Sequence, residues 1–309
     1  MPLCRRTLLA SLLTASMVSP SQRLPAQSLA PEPPDGDLPA PAPAAAAASA
    51  PPAPPPRPPA GVLPTWRRHA VAVAADDPRP KIAVVVDDMG VMRAHTAQAM
   101  RLPGPLTLAW FPFAPDLPAQ MGEAAARGHE ALLHMPMQAN TNSILQTGPD
   151  PLRVDLPAEV NLARLQAAIA AVPGVVGLNN HMGSIATRDP ALMQLVALQV
   201  RAHDMLFLDS VVIPHSMGLP EAEAAGVPSA ARDVFIDNSG NPAVIRGQLA
   251  SIEATARKLG YAIAIGHPRP HTLAALEEWL PTLPAKGFVL WPVAATVALR
   301  NGLPIGVAA

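Results

Sequence analysis

Two adjacent carboxylates, Asp87 and Asp88, follow a continuous apolar run from Ile82 to Val86 in the sequence KIAVVVDDMG. An apolar run without alternation is typical of a parallel strand that is covered on both faces. Ligands of α/β folds bind at the carboxyl ends of such strands, where a carboxylate can bind a metal ion or accept a proton. The alternative is that the two aspartates only cap the helix that begins near Val91.

Five later strand-like segments also end in polar side chains. These side chains are His134, Asn179-Asn180-His181, Asp209-Ser210, Asp237-Asn238 and His267. A polar residue at one strand end is usually a turn former. The carboxyl ends of all strands of a (β/α) barrel, however, meet at one rim. We therefore expect these side chains to form one site together with Asp87 and Asp88.

The residue types at this rim favour one divalent metal ion with nitrogen and oxygen ligands, and zinc fits best. Asp88, His134 and His181 are the candidate metal ligands, and a fourth position would stay open for water. Because side chains alternate along a strand, we expect Asp87 to point to the other side of the strand from Asp88. Asp87 is then the candidate general base and His267 the candidate general acid, a pair that suits hydrolysis of an amide or an ester.

Other chemistries lack their sequence signatures. There is no Gly-x-Ser-x-Gly element, and the only cysteine, Cys4, lies in the N-terminal segment. Phosphate-loop and dinucleotide-binding fingerprints are also absent. The formal net charge of −1 offers no electrostatic argument for nucleic-acid binding.

Short apolar runs alternate with longer amphipathic segments after Pro78, which predicts repeated βα units. The predicted strands are Ile82–Val86, Leu106–Phe111, Glu130–Leu133, Val175–Leu178, Met205–Leu208, Asp233–Ile236, Ala262–Ile265 and Phe288–Leu290. The predicted helices are Arg93–Leu102, Leu117–Arg127, Ala158–Ala171, Pro190–Ala202, Pro242–Leu259 and Thr272–Leu283. Eight strands alternating with helices predict an α/β fold, a complete or partly open (β/α) barrel in a single domain over residues 79–300.

The N-terminal region is predicted to lie outside this domain. Arg5 and Arg6 precede an apolar stretch of about eleven residues, which predicts a secretory signal peptide over residues 1–26. An uncleaved membrane anchor is the alternative, although about 20 apolar residues are needed to span a bilayer. Residues 27–78 are rich in proline and alanine, which predicts a disordered linker, and residues 301–309 form a C-terminal tail. We expect a periplasmic or secreted protein that contacts a membrane only through an uncleaved N-terminal segment.

Six segments within residues 81–297 resemble, in this order, the divergent polysaccharide deacetylase family. They are KIAVVVDDMG, HEALLHMPMQ, GLNNHMGS, LFLDS, RDVFIDN and AIAIGHPRPHTLAAL. The resemblance implies a distorted (β/α) barrel and metal-dependent removal of N- or O-acetyl groups from sugars. It also implies that Asp87 is the catalytic base, Asp88 a metal ligand, His134 the first histidine of the next motif and His267 the late catalytic histidine.

One position departs from the wider class of polysaccharide deacetylases. That class has a second histidine four residues after the first, where this chain has Gln138, a poor zinc ligand, so we assign the third ligand to His181 in NNHMGS. Further polar residues are candidates for binding substrate or for holding the metal ligands. They are Gln138, Asn180, Ser184, Asp209 and Asp237.

The sequence therefore predicts an exported metal-dependent hydrolase that removes acetyl groups from an envelope polysaccharide, such as one related to peptidoglycan, by a metal-activated water. The alternative, favoured by Gln138, is a catalytically impaired barrel that serves as a glycan- or protein-binding module of the cell envelope. Hydrolysis of an amide other than a sugar acetamide would use the same residues.

Overall fold

The computed structural model describes residues 62–141 and 147–305. The predicted signal peptide or anchor lies outside the described residues, as do most of the predicted linker and the end of the C-terminal tail. Among the described residues, no helix combines the length and the apolar character that crossing a membrane requires.

Nine strands form one sheet in the described part of the chain. The strands are β1 (Lys81–Met89), β2 (Thr107–Trp110), β3 (Glu130–Met137), β4 (Gly177–Met182), β5 (Leu206–Asp209), β6 (Ser229–Ala231), β7 (Val234–Phe235), β8 (Tyr261–Gly266) and β9 (Val289–Leu290). The α-helices are α1 (Thr65–Arg68), α2 (Arg93–Met100), α3 (Leu117–Ala126), α4 (Ala158–Ala171), α5 (Pro190–Ala202), α6 (Gly218–Ala224), α7 (Pro242–Leu259), α8 (Pro270–Trp279) and α9 (Val293–Arg300). Ala186–Arg188 and Leu280–Thr282 are short 3₁₀ helices.

The strand order β7-β8-β1-β2-β3-β4-β5-β6, with β9 added beside β1, curls the parallel sheet into a distorted (β/α) barrel. The edge strands β6 and β7 are consecutive in the chain. Strand β6 pairs with β5, and β7, which follows it after two residues, pairs with β8. One segment thus bridges the two edges of the sheet, and the predicted fold class is confirmed.

The barrel has one apolar core inside the sheet and another between the sheet and the helices. Ala83 and Val85 of β1 pack in the inner core, whereas Ile82 and Val84 pack in the outer one, as the alternation of strand side chains requires. The inner core also contains Val293, Ala294, Val297 and Ala298 of α9, a helix whose first six residues are all buried. Because a helix buried in this way lacks a distinct polar face, no amphipathic pattern in the sequence predicted α9.

The buried carboxyl group of Glu130 holds the first turn of α9. Its Oε1 accepts hydrogen bonds from the Ala294 N–H (2.9 Å) and from the Thr107 hydroxyl (3.1 Å). The Thr107 hydroxyl oxygen in turn accepts one from the Val293 N–H (2.9 Å). Burial raises the pKa of Glu130 to about 7, although these hydrogen bonds oppose the shift. Below about pH 7 a neutral carboxylic acid is therefore favoured where the helix enters the barrel.

The packed chain begins before residue 79, the predicted start of the domain. Trp66 of α1 is buried in the inner core, and its N–H donates to the Asp204 carbonyl (3.0 Å). Part of the stretch assigned to the linker, which was predicted to continue to residue 78, thus contacts the inner core through a large aromatic side chain.

Strands β3 and β4 run further than the sequence predicted. Their ladder continues through the pairs His134 with Asn179 and Pro136 with His181. His134 and the Asn179-Asn180-His181 segment therefore lie within the strands and not just after them. Polar residues are accommodated in these strands because they line the carboxyl end of the barrel, where side chains meet a cavity instead of the apolar core.

Candidate metal centre and active site

A β-bulge in β1 turns both aspartates toward the same site. Val86 pairs with Leu108 and Met89 with Trp110, so β1 has one more residue than β2 between these pairs. Asp88 adopts a left-handed backbone conformation with φ of 57°. As a result the His134 Nε2 lies 3.7 Å from Asp87 Oδ2 and 3.2 Å from Asp88 Oδ1. The expectation that Asp87 points to the other side of the strand was wrong, because it assumed regular alternation.

Three potential ligand atoms meet at this point. Asp88 Oδ1 lies 3.2 Å from His134 Nε2 and 3.2 Å from His181 Nδ1, and the two nitrogens are 3.1 Å apart. A tetrahedral site with metal–ligand bonds of about 2.0 Å has edges of about 3.3 Å. The three predicted ligands are therefore brought together at the spacing that a zinc-sized ion requires.

The ionisation and hydrogen bonding of these ligands also suit a metal ion. Burial alone would raise the pKa of Asp88, but the neighbouring rings of His134 and His181 outweigh it and hold the pKa below its usual range. Asp88 is therefore a carboxylate at neutral pH. Its Oδ1 is buried and, among the described residues, has no partner in hydrogen-bond geometry. An anionic oxygen in this position is stabilised by a cation.

Asn179, which the sequence places at the rim but to which we assigned no role, fixes the orientation of His134. Its side-chain oxygen lies 2.9 Å from His134 Nδ1, and its amide nitrogen donates to Asp87 Oδ1 (2.8 Å) and to the Ser210 hydroxyl oxygen (3.2 Å). Because the amide oxygen can only accept, Nδ1 carries a proton, and in the neutral ring Nε2 therefore presents the lone pair. The sequence feature that could have indicated this role is the position of Asn179 two residues before His181, because residues at this spacing lie on the same face of a strand.

Asp87 is buried beside the three ligand atoms, with 3% of its surface exposed. Burial raises the pKa of Asp87, and the charges of His134 and His267 oppose that shift. A carboxylate with a raised pKa is a stronger base than one in water. Asn179 holds Oδ1, and Oδ2 is the oxygen nearer to His134.

His267 lies across the site and is held by Asp237. His267 Nδ1 is 2.9 Å from Asp237 Oδ1, while Nε2 lies 4.0 Å from Asp88 Oδ2. The other carboxylate oxygen of Asp237 accepts from the His267 N–H (3.0 Å) and from the Thr272 hydroxyl (2.8 Å). Burial lowers the pKa of His267, but the hydrogen bond to Asp237 and the nearby carboxylates outweigh it and raise the pKa. His267 therefore tends to carry a proton on Nε2, which points into the site.

Two of the predicted substrate or supporting residues hold loops at a distance from the ligand atoms. The Gln138 side-chain oxygen accepts from the Val154 N–H (2.9 Å), and the Ser184 hydroxyl oxygen accepts from the Asn140 N–H (2.8 Å). The structure thus places these side chains in the chain that follows β3 and β4. The three ligand atoms come together without Gln138.

Asp209 and Asn180 shape the loop after β5. Asp209 follows the outer-facing Phe207 by two residues, so it faces outward and accepts from the Val211 N–H (2.8 Å) and the Leu219 N–H (3.1 Å). Asn180 accepts from the Ser210 N–H (2.9 Å) and also lines the cavity of the site. Asp209 is therefore separated from the ligand atoms by the strand itself, whereas Asn180 can reach a bound molecule.

Two cavities meet at His181 and His267. The larger, of about 450 Å³, contains the stacked rings of Phe111 and Phe113, whose centroids are 4.8 Å apart, and the exposed side chain of Met92. The smaller, of about 260 Å³, contains Asp87, His134, Asn180, Arg232 and Phe235 among its lining residues. A substrate that bridges both cavities would place one bond beside Asp87, Asp88 and His267.

Comparisons with known proteins identify a family and several similar proteins. Residues 84–297 match the family model described as divergent polysaccharide deacetylase. The chain is 38% identical over 204 residues to an uncharacterized protein of Haemophilus influenzae Rd, an alignment that covers 66% of this chain and 72% of that protein. It is 34% identical over 204 residues to the uncharacterized protein YibQ of Escherichia coli K12, covering 66% of this chain but only 63% of the longer relative. The crystal structure of an uncharacterized protein of Agrobacterium tumefaciens C58 superposes with a TM-score of 0.74 at 26% identity, over 77% of this chain and 97% of that one.

Proposed function

The chain belongs to the divergent polysaccharide deacetylase family, and from this premise we propose that it is an exported, metal-dependent hydrolase that removes acetyl groups from an envelope carbohydrate. The observation that carries the proposal is the convergence of Asp88, His134 and His181 to within 3.2 Å of one another. Asp87 and His267, a candidate base and a candidate acid, flank these three residues.

The donor set fits a divalent ion such as zinc. Asp88 supplies an anionic oxygen, and His134 and His181 supply imidazole nitrogens, while the described residues contain no cysteine. An ion held there would lower the pKa of a water molecule and polarise a carbonyl oxygen. Asn179 would support this role, because it orients the lone pair of His134 Nε2 toward the same point.

The residues beside the ligands have separate roles in the proposed reaction. Asp87 accepts a proton from the attacking water at Oδ2, because its other oxygen is held by Asn179. His267 donates a proton from Nε2 to the departing nitrogen or oxygen of the sugar, because Nδ1 is held by Asp237. Each group contributes about 10²- to 10⁴-fold to the rate in comparable enzymes.

The acetylated sugar and the location belong to the same proposal. Family membership supports a polysaccharide substrate such as a peptidoglycan-related glycan, and the N-terminal segment supports export to the periplasm or beyond. The stacked pair of Phe111 and Phe113 provides an aromatic surface that a sugar ring can pack against.

The test separates metal binding from turnover in the full chain. Elemental analysis should find close to one zinc, nickel or cobalt ion for each wild-type chain, and acetylated oligosaccharides should release acetate. Asp88→Ala should lose both the metal and turnover, because it removes the anionic ligand. Asp87→Asn should keep the metal and lose at least about 100-fold in kcat. Asp76→Ala changes an exposed aspartate outside the site and should behave as wild type.

Equal metal content in wild type and Asp88→Ala would refute the ligand assignment. A bound metal without acetate release from any acetylated glycan would instead favour the alternative function, a glycan- or protein-binding module of the envelope. Retention of wild-type turnover in Asp87→Asn would exclude Asp87 as the base.

A further inference from the structure

Arg232 is a half-buried cation in the wall of the smaller cavity. The cavity also contains Asp87, His134 and His267, so the guanidinium group belongs to the same enclosure as the candidate catalytic groups. The carbon of the guanidinium group lies 4.7 Å from the centre of the Phe235 ring. Stacking on this ring fixes the plane of the guanidinium group.

The hydrogen bonds of Arg232 leave part of its guanidinium group available. Nε donates to the Ser210 carbonyl (2.9 Å) and Nη2 donates to the Val211 carbonyl (3.0 Å). A guanidinium group has five N–H donors. Within residues 62–141 and 147–305, the other three donors of Arg232 have no hydrogen-bond acceptor. The unused donors include both on Nη1 and one on Nη2, which is the edge that binds a carboxylate through two parallel hydrogen bonds.

The loop that accepts these two bonds is held in a strained conformation. Val211 has a φ of 48°, which is costly for a β-branched residue. Asp209 accepts a hydrogen bond from its N–H, and Arg232 donates to its carbonyl. The loop and Arg232 therefore stabilise each other in one arrangement, which fixes the position of the cation before any ligand binds.

The charge of Arg232 is not matched by a neighbouring carboxylate. Within the described residues, no acidic side chain lies within 4.0 Å of its guanidinium group, and the adjacent Asp233 pairs with Arg300 instead (3.1 Å). Asp237, which holds His267, is already contacted by His267 and Arg269. Burial lowers the pKa of Arg232, and nearby carboxylates, Asp87 first among them, oppose the shift. A half-buried guanidinium group is favoured by an anionic partner.

We propose that Arg232 binds a carboxylate of the substrate, so that the preferred substrate is an acidic glycan with a carboxylate on the acetylated sugar or on its direct neighbour. This inference rests on the proposed deacetylase function, because it concerns the same cavity. The two sources of such a carboxylate are a uronic acid and a lactyl ether, and both offer the same chemistry to the guanidinium group.

The experiment uses pairs of acetylated probes that differ only in the carboxylate. One pair is N-acetylmuramic acid and its methyl ester, and the other is a hyaluronan tetrasaccharide and its carboxyl-reduced form. Binding to the full, zinc-loaded chain is measured by calorimetry, and acetate release is measured separately. Wild type should bind the acidic member of at least one pair about 10- to 100-fold more tightly than the neutral member, as expected for hydrogen bonds to a charged group.

Arg232→Met should abolish that preference, with a KM that rises at least about 10-fold more for the acidic probe than for the neutral one and with an unchanged metal content. Arg246→Met is the matched control, since Arg246 is exposed on α7 and away from the cavity. A preference for one pair alone would identify the source of the carboxylate. Equal binding of both members of both pairs by wild type would overturn the inference, even if Arg232→Met does not fold.

The calorimetric comparison also separates the two proposals. Equal acetate release from acidic and neutral probes, together with equal binding, would leave the deacetylase proposal standing and refute the role of Arg232. A carboxylate preference without acetate release from any probe would support the role of Arg232 and contradict the proposed reaction.

Discussion

The buried carboxyl group of Glu130 should make the stability of the fold depend on pH. The pKa of Glu130 is raised from 4.5 to about 7 by burial under α9. Below pH 4.5 the carboxyl group is protonated in both the folded and the unfolded chain. Between the two pKa values the folded chain keeps the proton that the unfolded chain has lost, so stability falls as pH rises. The difference between the two pKa values corresponds to about 3 kcal/mol in the free energy of unfolding. This stabilisation is lost once the pH rises past about 7.

Glu130→Gln tests this reasoning because it keeps the shape of the side chain and removes the ionisation. The Gln side-chain oxygen can still accept from the Ala294 N–H and the Thr107 hydroxyl. Urea unfolding of the full chain between pH 4 and pH 8.5 should give similar free energies of unfolding for variant and wild type at the acidic end. At pH 8.5 the variant should be more stable by up to about 3 kcal/mol.

Comparing Glu130→Gln with wild type isolates the contribution of Glu130 to the pH dependence of stability, since all other ionisable groups are the same in both proteins. Glu277→Gln, an exposed glutamate on α8, should follow wild type over the whole pH range. A difference between Glu130→Gln and wild type that stays constant from pH 4 to pH 8.5 would show that Glu130 does not keep its proton in the fold, and would refute the reasoning.

Two further predictions concern the residues that support the site. Asn179→Ala should weaken zinc binding by about 10- to 100-fold, because His134 loses the group that orients its ring. A competing chelating dye measures the change, and an unchanged Kd would contradict it. Asp237→Asn should lower kcat by at least about 10-fold and leave the zinc content intact, because His267 loses its anionic partner. Loss of zinc in this variant would mean that Asp237 supports the metal site instead.

The regular elements could be predicted where local composition decides them. The continuous apolar run of β1 and the amphipathic repeat of α7 carry their own signals, and α4, α5 and α7 have the predicted bounds. In contrast, β6 consists of Ser229–Ala231, three residues with little strand preference, and forms because β5 offers a free edge. The helix α9 was missed because it is buried on nearly all sides and has no polar face.

The site could be predicted as a set of residues but not as a geometry. Strand order alone brings Asp88, His134 and His181 to one rim, which is why three separate strands could supply candidate ligands. The outward position of Asp209 and the inward turn of Asp88 depend on strand register and on a bulge. One residue of register changes the face that a side chain occupies, and register is set by contacts between distant segments.

The left-handed backbone of Asp88 has a consequence for protein engineering. At a φ of 57° most side chains cost about 1–2 kcal/mol relative to glycine, and aspartate, which tolerates this region better than most, still costs part of that amount. A search for stabilising substitutions that scores the free energy of unfolding alone would therefore favour Asp88→Gly, and would remove the anionic ligand in doing so. Any programme of thermostabilisation for this barrel should hold position 88 fixed, since here the gain in stability and the loss of the site come from the same substitution.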